Sequence, residues 1–489
     1  MAAERFIKMP FSHAFDVLII GGGYSGAALA VRLSREARRA LSVGVIEPRD
    51  EVGKGVAYSA VHPDYRLNGP DAVHIVMPDR PNDFHDWLQR EGILEADFKG
   101  WAGSGVFFAR RADFGRYMAE LFQGHQAVNG TGTDLIHIHA RAMSLVTGHD
   151  FSMVTLDKGQ QLTARLAVLA TSNEMPAVPK TFQGDVRLQS GFFPNPWDLD
   201  RLAALVPDAP ILVLGTGLTA ADVITALAFH GHTGPIDAVS RTGLLPMDQN
   251  PMPDKETMWE RFLQKPPRFI KKHGALTNVA DILRCLRRDI VDRAAEGKTW
   301  HGAFDDLRDA VRTLWTDLPL AEQQRFRRHL KSWYETRRFR IAPQVQAVLD
   351  DYQKAGRLTI SAARITSARR SEGGGVAVTF RSRAQDVTWE KNYGAVINCT
   401  GLNTSPDDSG NPIMEQLAFT GAAIPHPTGH GFLVDRECRA ISASGEPQAA
   451  LRIIGPLTRG TFMESGSVPA ISYQIHKIMP DVLAALNAS

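Results

Sequence analysis

Two glycine clusters carry the clearest chemistry in this sequence. Gly21-Gly22-Gly23-Tyr24-Ser25-Gly26 spells G-x-G-x-x-G, and Gly215-Thr216-Gly217-Leu218-Thr219-Ala220 spells G-x-G-x-x-A. Glycines at this spacing give a tight turn, a close backbone approach to a pyrophosphate, and close packing of helix on strand. The chemistry is therefore binding of dinucleotide phosphates by main-chain amides at a helix N-terminus. Further residues qualify each cluster. Glu47 stands about 20 residues beyond the first, where a carboxylate takes ribose hydroxyls. Arg241 stands at the corresponding place beyond the second, where a guanidinium pairs with a 2′-phosphate and favours NADPH over NADH.

These residues work only if the flanking elements hold them, and the flanks have the right pattern. Phe15–Ile20 (FDVLII) is a short apolar, β-branched run of the kind that forms a buried parallel strand. An amphipathic helix is predicted over Ala27–Ala40 and a second strand over Leu41–Ile46, ending at Glu47. Ile211–Leu214 and Ile236–Val239 play the same parts around the second cluster. The stretches that follow also match each other. Leu135–Thr171 and Leu358–Gly401 each read as strands around a turn and then an apolar closing strand. The expected fold class is α/β: two Rossmann-like dinucleotide-binding domains, for FAD and NAD(P)H, the second inserted in the first, with a helical insertion. The expected boundaries are 1–178 and 396–489 for the FAD domain. The NAD(P)H domain takes 179–395, with the insertion at about 250–345.

Composition narrows the alternatives. The 489 residues carry 55 Lys+Arg against 53 Asp+Glu, so no global field selects a polyanion, and nucleic-acid binding is not expected. Three scattered cysteines, Cys285, Cys399 and Cys438, make neither a disulfide framework nor a C-x-x-C redox pair. Cys399 reads as a small core residue. Neither a signal-peptide core nor a membrane-length apolar run is present, so the expectation is a cytoplasmic protein with no membrane partner. His137 and His139 alternate along a strand without a third ligand, so no metal is expected. His426 and His430 lie in a loop that could border a site by position alone. The basic insertion, with Arg337-Arg338-Phe339-Arg340, is a solvated helix face or an electropositive wall for anions.

The motifs together resemble the FAD/NAD(P)-binding flavoprotein family related to the class B flavin monooxygenases. The resemblance runs from residue 15 to about 470. It is carried by GGGYSG, GKGVAYS (Gly53–Ser59), RLNGP (Arg66–Pro70), VFFARRADFGRYM (Val106–Met118) and GTGLTAAD, and by SRTGLLP (Ser240–Pro246), INCTG and GPLTRGTFME (Gly455–Glu464). It implies FAD contacts from Gly21, Gly23, Tyr24, Ser25, Gly26, Glu47, Arg111, Thr171, Thr400, Gly401, Gly455 and Thr461. It implies nicotinamide-nucleotide contacts from Gly215, Gly217, Leu218, Thr219 and Arg241. Asn68, in a loop similar to one lying against the flavin, is the candidate catalytic residue.

Three departures stand out. Ser172 replaces the glycine of an A-T-G-N motif. Leu188 replaces the His of F-x-G-x-x-x-H-x-x-x-W after Phe182-Gln183-Gly184, and Trp197 comes too late, which argues against Baeyer–Villiger activity. Arg337–Pro343 lacks the histidines of the family's corresponding segment. The resemblance implies FAD-dependent, NADPH-using monooxygenation of a small organic substrate by O₂ through a flavin C4a-hydroperoxide; the substrate is an amine or nitrogen heterocycle. The alternatives are a flavin reductase or dehydrogenase without oxygen insertion, and a non-catalytic dinucleotide sensor.

Overall fold

The computed structural model describes residues 14–103, 105–148, 150–187, 191–249, 258–371, 374–383 and 386–487. In chain order the first elements are β1 (Ala14–Ile20), α1 (Tyr24–Glu36), β2 (Ser42–Ile46), α2 (Arg111–Ala127) and β3 (Asp134–Ile138). Next come β4 (Ala142–Thr147), β5 (Ser152–Leu156), β6 (Gln161–Leu169), β7 (Phe192–Phe193), β8 (Ile211–Leu214) and α3 (Leu218–Phe229). Then follow β9 (Ile236–Ser240), α4 (His301–Asp317), β10 (Leu358–Arg370), β11 (Val376–Ser382), β12 (Thr388–Tyr393) and β13 (Ala395–Asn398). The chain ends with β14 (Arg439–Ile441), β15 (Pro447–Ile453) and α5 (Val468–Asn487). Two compact units result, one from Met1–Val56, Gly115–Asn173 and Thr404–Ser489, the other from Ala57–Phe114 and Glu174–Asn403.

The first unit is built on a sheet ordered β14-β15-β6-β1-β2-β3, with β4 and β5 continuing antiparallel from β6. β1 lies parallel between β2 and β6, and Val17, Leu18 and Ile19, which point alternately to its two faces, are fully buried, so both faces are covered. That is why the FDVLII run is continuously apolar rather than alternating. The helix begins at Tyr24, three residues before the predicted start, because the glycine turn itself enters the helix.

The second unit is built on a sheet ordered β12-β11-β10-β9-β8-β13-β7. Its central strands run parallel and β10-β11-β12 form an antiparallel layer. One difference from the expected boundaries has a clear cause. β13 pairs parallel with β8, Ala395 opposite Ile211 through Asn398 opposite Leu214, so the chain leaves this unit only after Asn403, not at 396. Residues Ala57–Phe114 also group with the second unit instead of the first.

Six helices between Met258 and Arg338 form the insertion. Its basic residues are largely consumed internally. Arg261 donates to Asp309 and Asp306, each at 2.8 Å, and Arg308 donates to Asp309 and Asp305, each at 3.0 Å. Arg340, buried, reaches Asp305 at 3.1 Å. Burial raises the Asp305 pKa, but Arg308, Arg340 and Arg261 outweigh it and hold it at about 2. Arg337 and Arg338 lie over the Trp333 and Phe339 rings. This part of the run is therefore structural cement; residues 250–257 lie outside the described residues.

Candidate functional site

In the first unit the turn Gly21–Gly26 closes on the end of β6. Gly21 has φ +103°, and a Cβ there would lie 2.9 Å from the Ala170 carbonyl oxygen. A Cβ on Gly26 would lie 2.0 Å from the Gly21 carbonyl oxygen, so helix and strand can approach only with glycine present. Gly23 caps α1 with no side-chain hydrogen bond, leaving the first-turn main chain to meet an anion. Glu47 is buried; Gly22 N–H donates to its Oε2 at 2.9 Å, and the Arg49 N–H and guanidinium donate to its Oε1 at 3.1 Å. His137 and His139 donate to the carbonyls of Glu47 and Pro48 at 3.0 and 2.7 Å, so the histidine pair pins the loop beyond β2. Among the described residues no group of three or more His, Cys, Asp or Glu is placed to hold a metal.

The other residues expected in this unit fall into place unevenly. Ser25 is buried against Gly455, whose own Cβ would lie 2.5 Å from the Ser25 hydroxyl; Gly455 has φ +74° and its N–H donates to Gln474 at 2.7 Å. Thr171 follows Ala170 beside Gly21, with its hydroxyl 3.9 Å from the Met414 sulfur. Thr461 is turned toward the Val434 backbone, accepting from its N–H at 3.3 Å. The Tyr24 side chain serves packing, because its hydroxyl meets Ser472 at 2.6 Å and donates to the Val468 carbonyl at 3.4 Å. Only the Tyr24 main chain faces the turn. His426 is held by Thr428 of its own loop at 2.8 Å, and His430 by Thr404, 26 residues earlier, at 2.9 Å.

Several features here escape the sequence motifs. Gly53 N–H donates to the Gly22 carbonyl at 2.7 Å, and Gly55, at φ +54°, lies against the Gly23 α-carbon. The Tyr24 contacts bring the N-termini of α1 and α5 together, so two positive dipole ends converge. Just before α5, Met463 has φ 57° and Glu464 N–H donates to Phe462 at 2.6 Å, a strained γ-turn on a non-glycine residue. Ser465 beside it is fully buried, with its hydroxyl lacking a hydrogen-bond partner among the described residues. The glycines of GKGVAYS were the available signal for the first feature; nothing local marks the γ-turn.

In the second unit Gly215 repeats the part of Gly21. Its φ is +116°, and a Cβ would lie 2.3 Å from the Cys399 carbonyl oxygen. Gly217 caps α3 without a side-chain bond and has open space where a Cβ would project; Leu218 and Thr219 begin the helix. Thr216 bonds the Ser240 hydroxyl at 2.9 Å and the Leu244 carbonyl at 2.6 Å, tying the turn to the end of β9, where Arg241 is exposed. Thr400 and Gly401 follow β13 directly beside Gly215, so the structure brings them to the second turn and not to the first unit. Cys399 is buried, and burial pushes its thiol well up, as its core reading requires.

Arg111 differs most from expectation. Its guanidinium grips Asp222, the last residue of GTGLTAAD, with two bonds of 2.7 and 2.8 Å, and its Nε donates to the Arg66 carbonyl at 3.0 Å. Asp222 is buried and Arg111 partly so, and burial raises the Asp222 carboxyl against the pull of Arg111. Arg111 is thus a clasp between α3 and the Arg66–Pro70 loop, with the Asn68 side-chain oxygen 3.5 Å away. Asn68 itself accepts from Gln249 on its carbonyl at 2.5 Å. Arg66 is buried and paired with Asp97. Trp197 packs against the core of this unit, and Leu188 lies outside the described residues.

The chain has known counterparts. A family model described as FAD-NAD(P)-binding matches residues 18–174. A Baeyer–Villiger monooxygenase of Stachybotrys chlorohalonatus is 24% identical over 243 residues, covering 46% of this chain and 34% of the relative, so the match spans about a third of that protein. Among solved structures, the ornithine hydroxylase of Pseudomonas aeruginosa aligns with TM-score 0.64 and 15% identity, over 97% of this chain and 100% of its own. The ornithine N-hydroxylase of Kutzneria sp. 744, solved with reduced FAD, NADP⁺ and L-ornithine, aligns with TM-score 0.62 and 17% identity, over 96% and 99%. At such identities the likeness is one of fold. Among the described residues no helix is long and apolar enough to cross a membrane. Residues 18–174 thus match an FAD-NAD(P)-binding family model, and the chain as a whole has the fold seen in these ornithine hydroxylases.

Proposed function

We propose that this protein is an FAD-dependent, NADPH-using monooxygenase that transfers oxygen from O₂ to a small organic amine or nitrogen heterocycle. The observation that carries the reading is the pair of glycine turns with opposite partners: a buried carboxylate, Glu47, beyond the first and an exposed guanidinium, Arg241, beyond the second. The first suits a ribose and the second a 2′-phosphate. The glycine cradles fit the groups they would hold, since a Cβ at Gly21, Gly26 or Gly215 would strike backbone.

FAD would be held by the main chain of Gly21, Gly23, Tyr24, Ser25 and Gly26, by Glu47, and by Thr171, Gly455 and Thr461. NADPH would be held by Gly215, Gly217, Leu218, Thr219 and Arg241, with Thr400 and Gly401 joining that side. The flavin, when bound, supplies the redox and oxygen chemistry. This chain supplies uncapped helix termini for the phosphates and, at Asn68, an amide on a loop braced by Arg111 and Gln249. The fold shared with ornithine hydroxylases supports an amine substrate.

The test is an absorbance spectrum of the purified protein, followed by NADPH oxidation under air with candidate amines and heterocycles and tracing of oxygenated product. A flavin spectrum with substrate-stimulated oxidation and oxygenated product is expected. Peroxide alone with every substrate would point to electron transfer without oxygen insertion, and failure to bind FAD would point to a sensor.

A further inference from the structure

The end of β9 gathers a second arginine that no glycine motif marks. Ser240 pairs with Ala362 of β10, and the next residue, Ala363, pairs with Ser382 of β11. Arg383 follows Ser382 directly and reaches back across β10, where its Nη1 donates to the Arg241 carbonyl at 2.8 Å. The loop after β9 is held in the same place: the Ser240 hydroxyl accepts from Gly243 N–H at 2.9 Å and bonds Thr216 of the glycine turn at 2.9 Å. Gly243, at φ +62°, packs so closely on β10 that a Cβ there would lie 3.0 Å from the Ala362 nitrogen.

Nearby carboxylates are engaged elsewhere. Asp386 pairs with Arg381, Glu390 with Arg369, and Asp237 with Lys391. Among the described residues neither Arg241 nor Arg383 is in an ion pair, and both are exposed. A guanidinium has five N–H donors, so one bond to a carbonyl fixes Arg383 in place and leaves the others for an anion.

We infer that Arg383 is a second specificity-determining residue for the 2′-phosphate of NADPH, acting beside Arg241. The inference rests on the proposed assignment of the nicotinamide nucleotide to the Gly215 turn. It predicts recognition by two guanidinium groups from different layers of one sheet: Arg241 from the parallel core and Arg383 from the antiparallel hairpin.

The test is calorimetric titration of the full-length, FAD-loaded protein with NADP⁺, NAD⁺, 2′,5′-ADP and ADP, for wild type, Arg383→Ala, Arg383→Lys and Arg241→Ala. Arg383→Ala is expected to weaken NADP⁺ and 2′,5′-ADP about tenfold, the size of one charge-assisted bond, and to leave NAD⁺ and ADP within about twofold. Arg383→Lys should retain part of the preference. Unchanged NADP⁺ affinity in Arg383→Ala, or an equal loss for NAD⁺, overturns the role of Arg383. If that happens while Arg241→Ala still abolishes the preference, only the second residue is lost. A wild type that binds NAD⁺ as tightly as NADP⁺ overturns the 2′-phosphate assignment itself.

Discussion

Arg111→Ala separates two roles that one residue type can fill. As a cofactor contact Arg111 would govern affinity; as the clasp observed on Asp222 it governs stability. The two bonds of 2.7 and 2.8 Å place opposite charges roughly 4 Å apart, worth about 4 kcal/mol at an effective dielectric near 20. Desolvation of both groups offsets much of that, so the net worth of the pair is small. Removing one partner is different, because the Asp222 carboxylate, its side chain only 8% exposed, is left buried and unpaired at a cost of about 3–5 kcal/mol. The expected outcome is a loss of that size in urea unfolding at pH 8, with NADP⁺ and FAD affinities of the folded protein changed little.

The pH dependence gives a signature. Without Arg111 the folded-state pKa of Asp222 lies above its unfolded value, so the penalty is fully present above the folded pKa. It fades as pH falls through that value, because the native carboxyl takes up a proton. Arg111→Ala should therefore recover stability relative to wild type as the pH is lowered from 8 through the raised folded-state pKa of Asp222. Arg111→Met with Asp222→Leu, which removes both charges, should lie within about 2 kcal/mol of wild type. The reasoning is refuted if Arg111→Ala unfolds within about 1 kcal/mol of wild type and loses tenfold or more in cofactor affinity.

Gly215→Ala places a Cβ 2.3 Å from the Cys399 carbonyl oxygen at φ +116°, so nicotinamide-nucleotide affinity should fall more than tenfold while the flavin spectrum persists. Gly26→Ala is the converse: a Cβ 2.0 Å from the Gly21 carbonyl oxygen should strip FAD from the purified protein, read as loss of visible absorbance. His74 is buried, and burial lowers its pKa from 6.5 to about 4. Between those values the unfolded chain binds a proton that the native state refuses, so stability falls as pH drops from about 6.5 to 4, by up to about 3 kcal/mol. Replacing His74 with Asn should flatten that part of the acid limb in pH-dependent chemical unfolding.

The parts legible in the sequence are those where backbone geometry admits one residue type. Gly21, Gly26 and Gly215 sit against carbonyl oxygens that exclude a Cβ, so the turns, their strands and their helices could be read locally. Contacts set by distant chain segments could not. Arg111 and Asp222 are 111 residues apart, and an arginine within a cofactor-like motif looks the same whether its partner is a phosphate or a carboxylate. The basic insertion was nearer to legible. Asp305, Arg308 and Asp309 fall three and four apart on α4, a spacing that signals charges meeting on one helix face. Arg340 completes that cluster from outside the helix, which spacing alone does not reveal.

The closing strands show why the repeat could be recognised and still be divided in the wrong place. Ala170-Thr171-Ser172 and Cys399-Thr400-Gly401 stand in the same relation to their turns, each placing a carbonyl oxygen where a Cβ on the first fingerprint glycine would fall. Both strands run apolar toward their turns and each is followed two residues later by a threonine, so the pattern does not say which sheet each one joins. Hydrogen bonding settles it: β6 lies beside β1, and β13 lies beside β8. The one difference between the two ends is also physical. Gly401 has φ +95°, a conformation open to glycine, whereas among the described residues the only non-glycine residues at positive φ are Cys438 and Met463. Ser172 is therefore at negative φ, with its hydroxyl donating to the Asn173 carbonyl at 2.9 Å, so serine there replaces a glycine whose conformational freedom the first unit does not use.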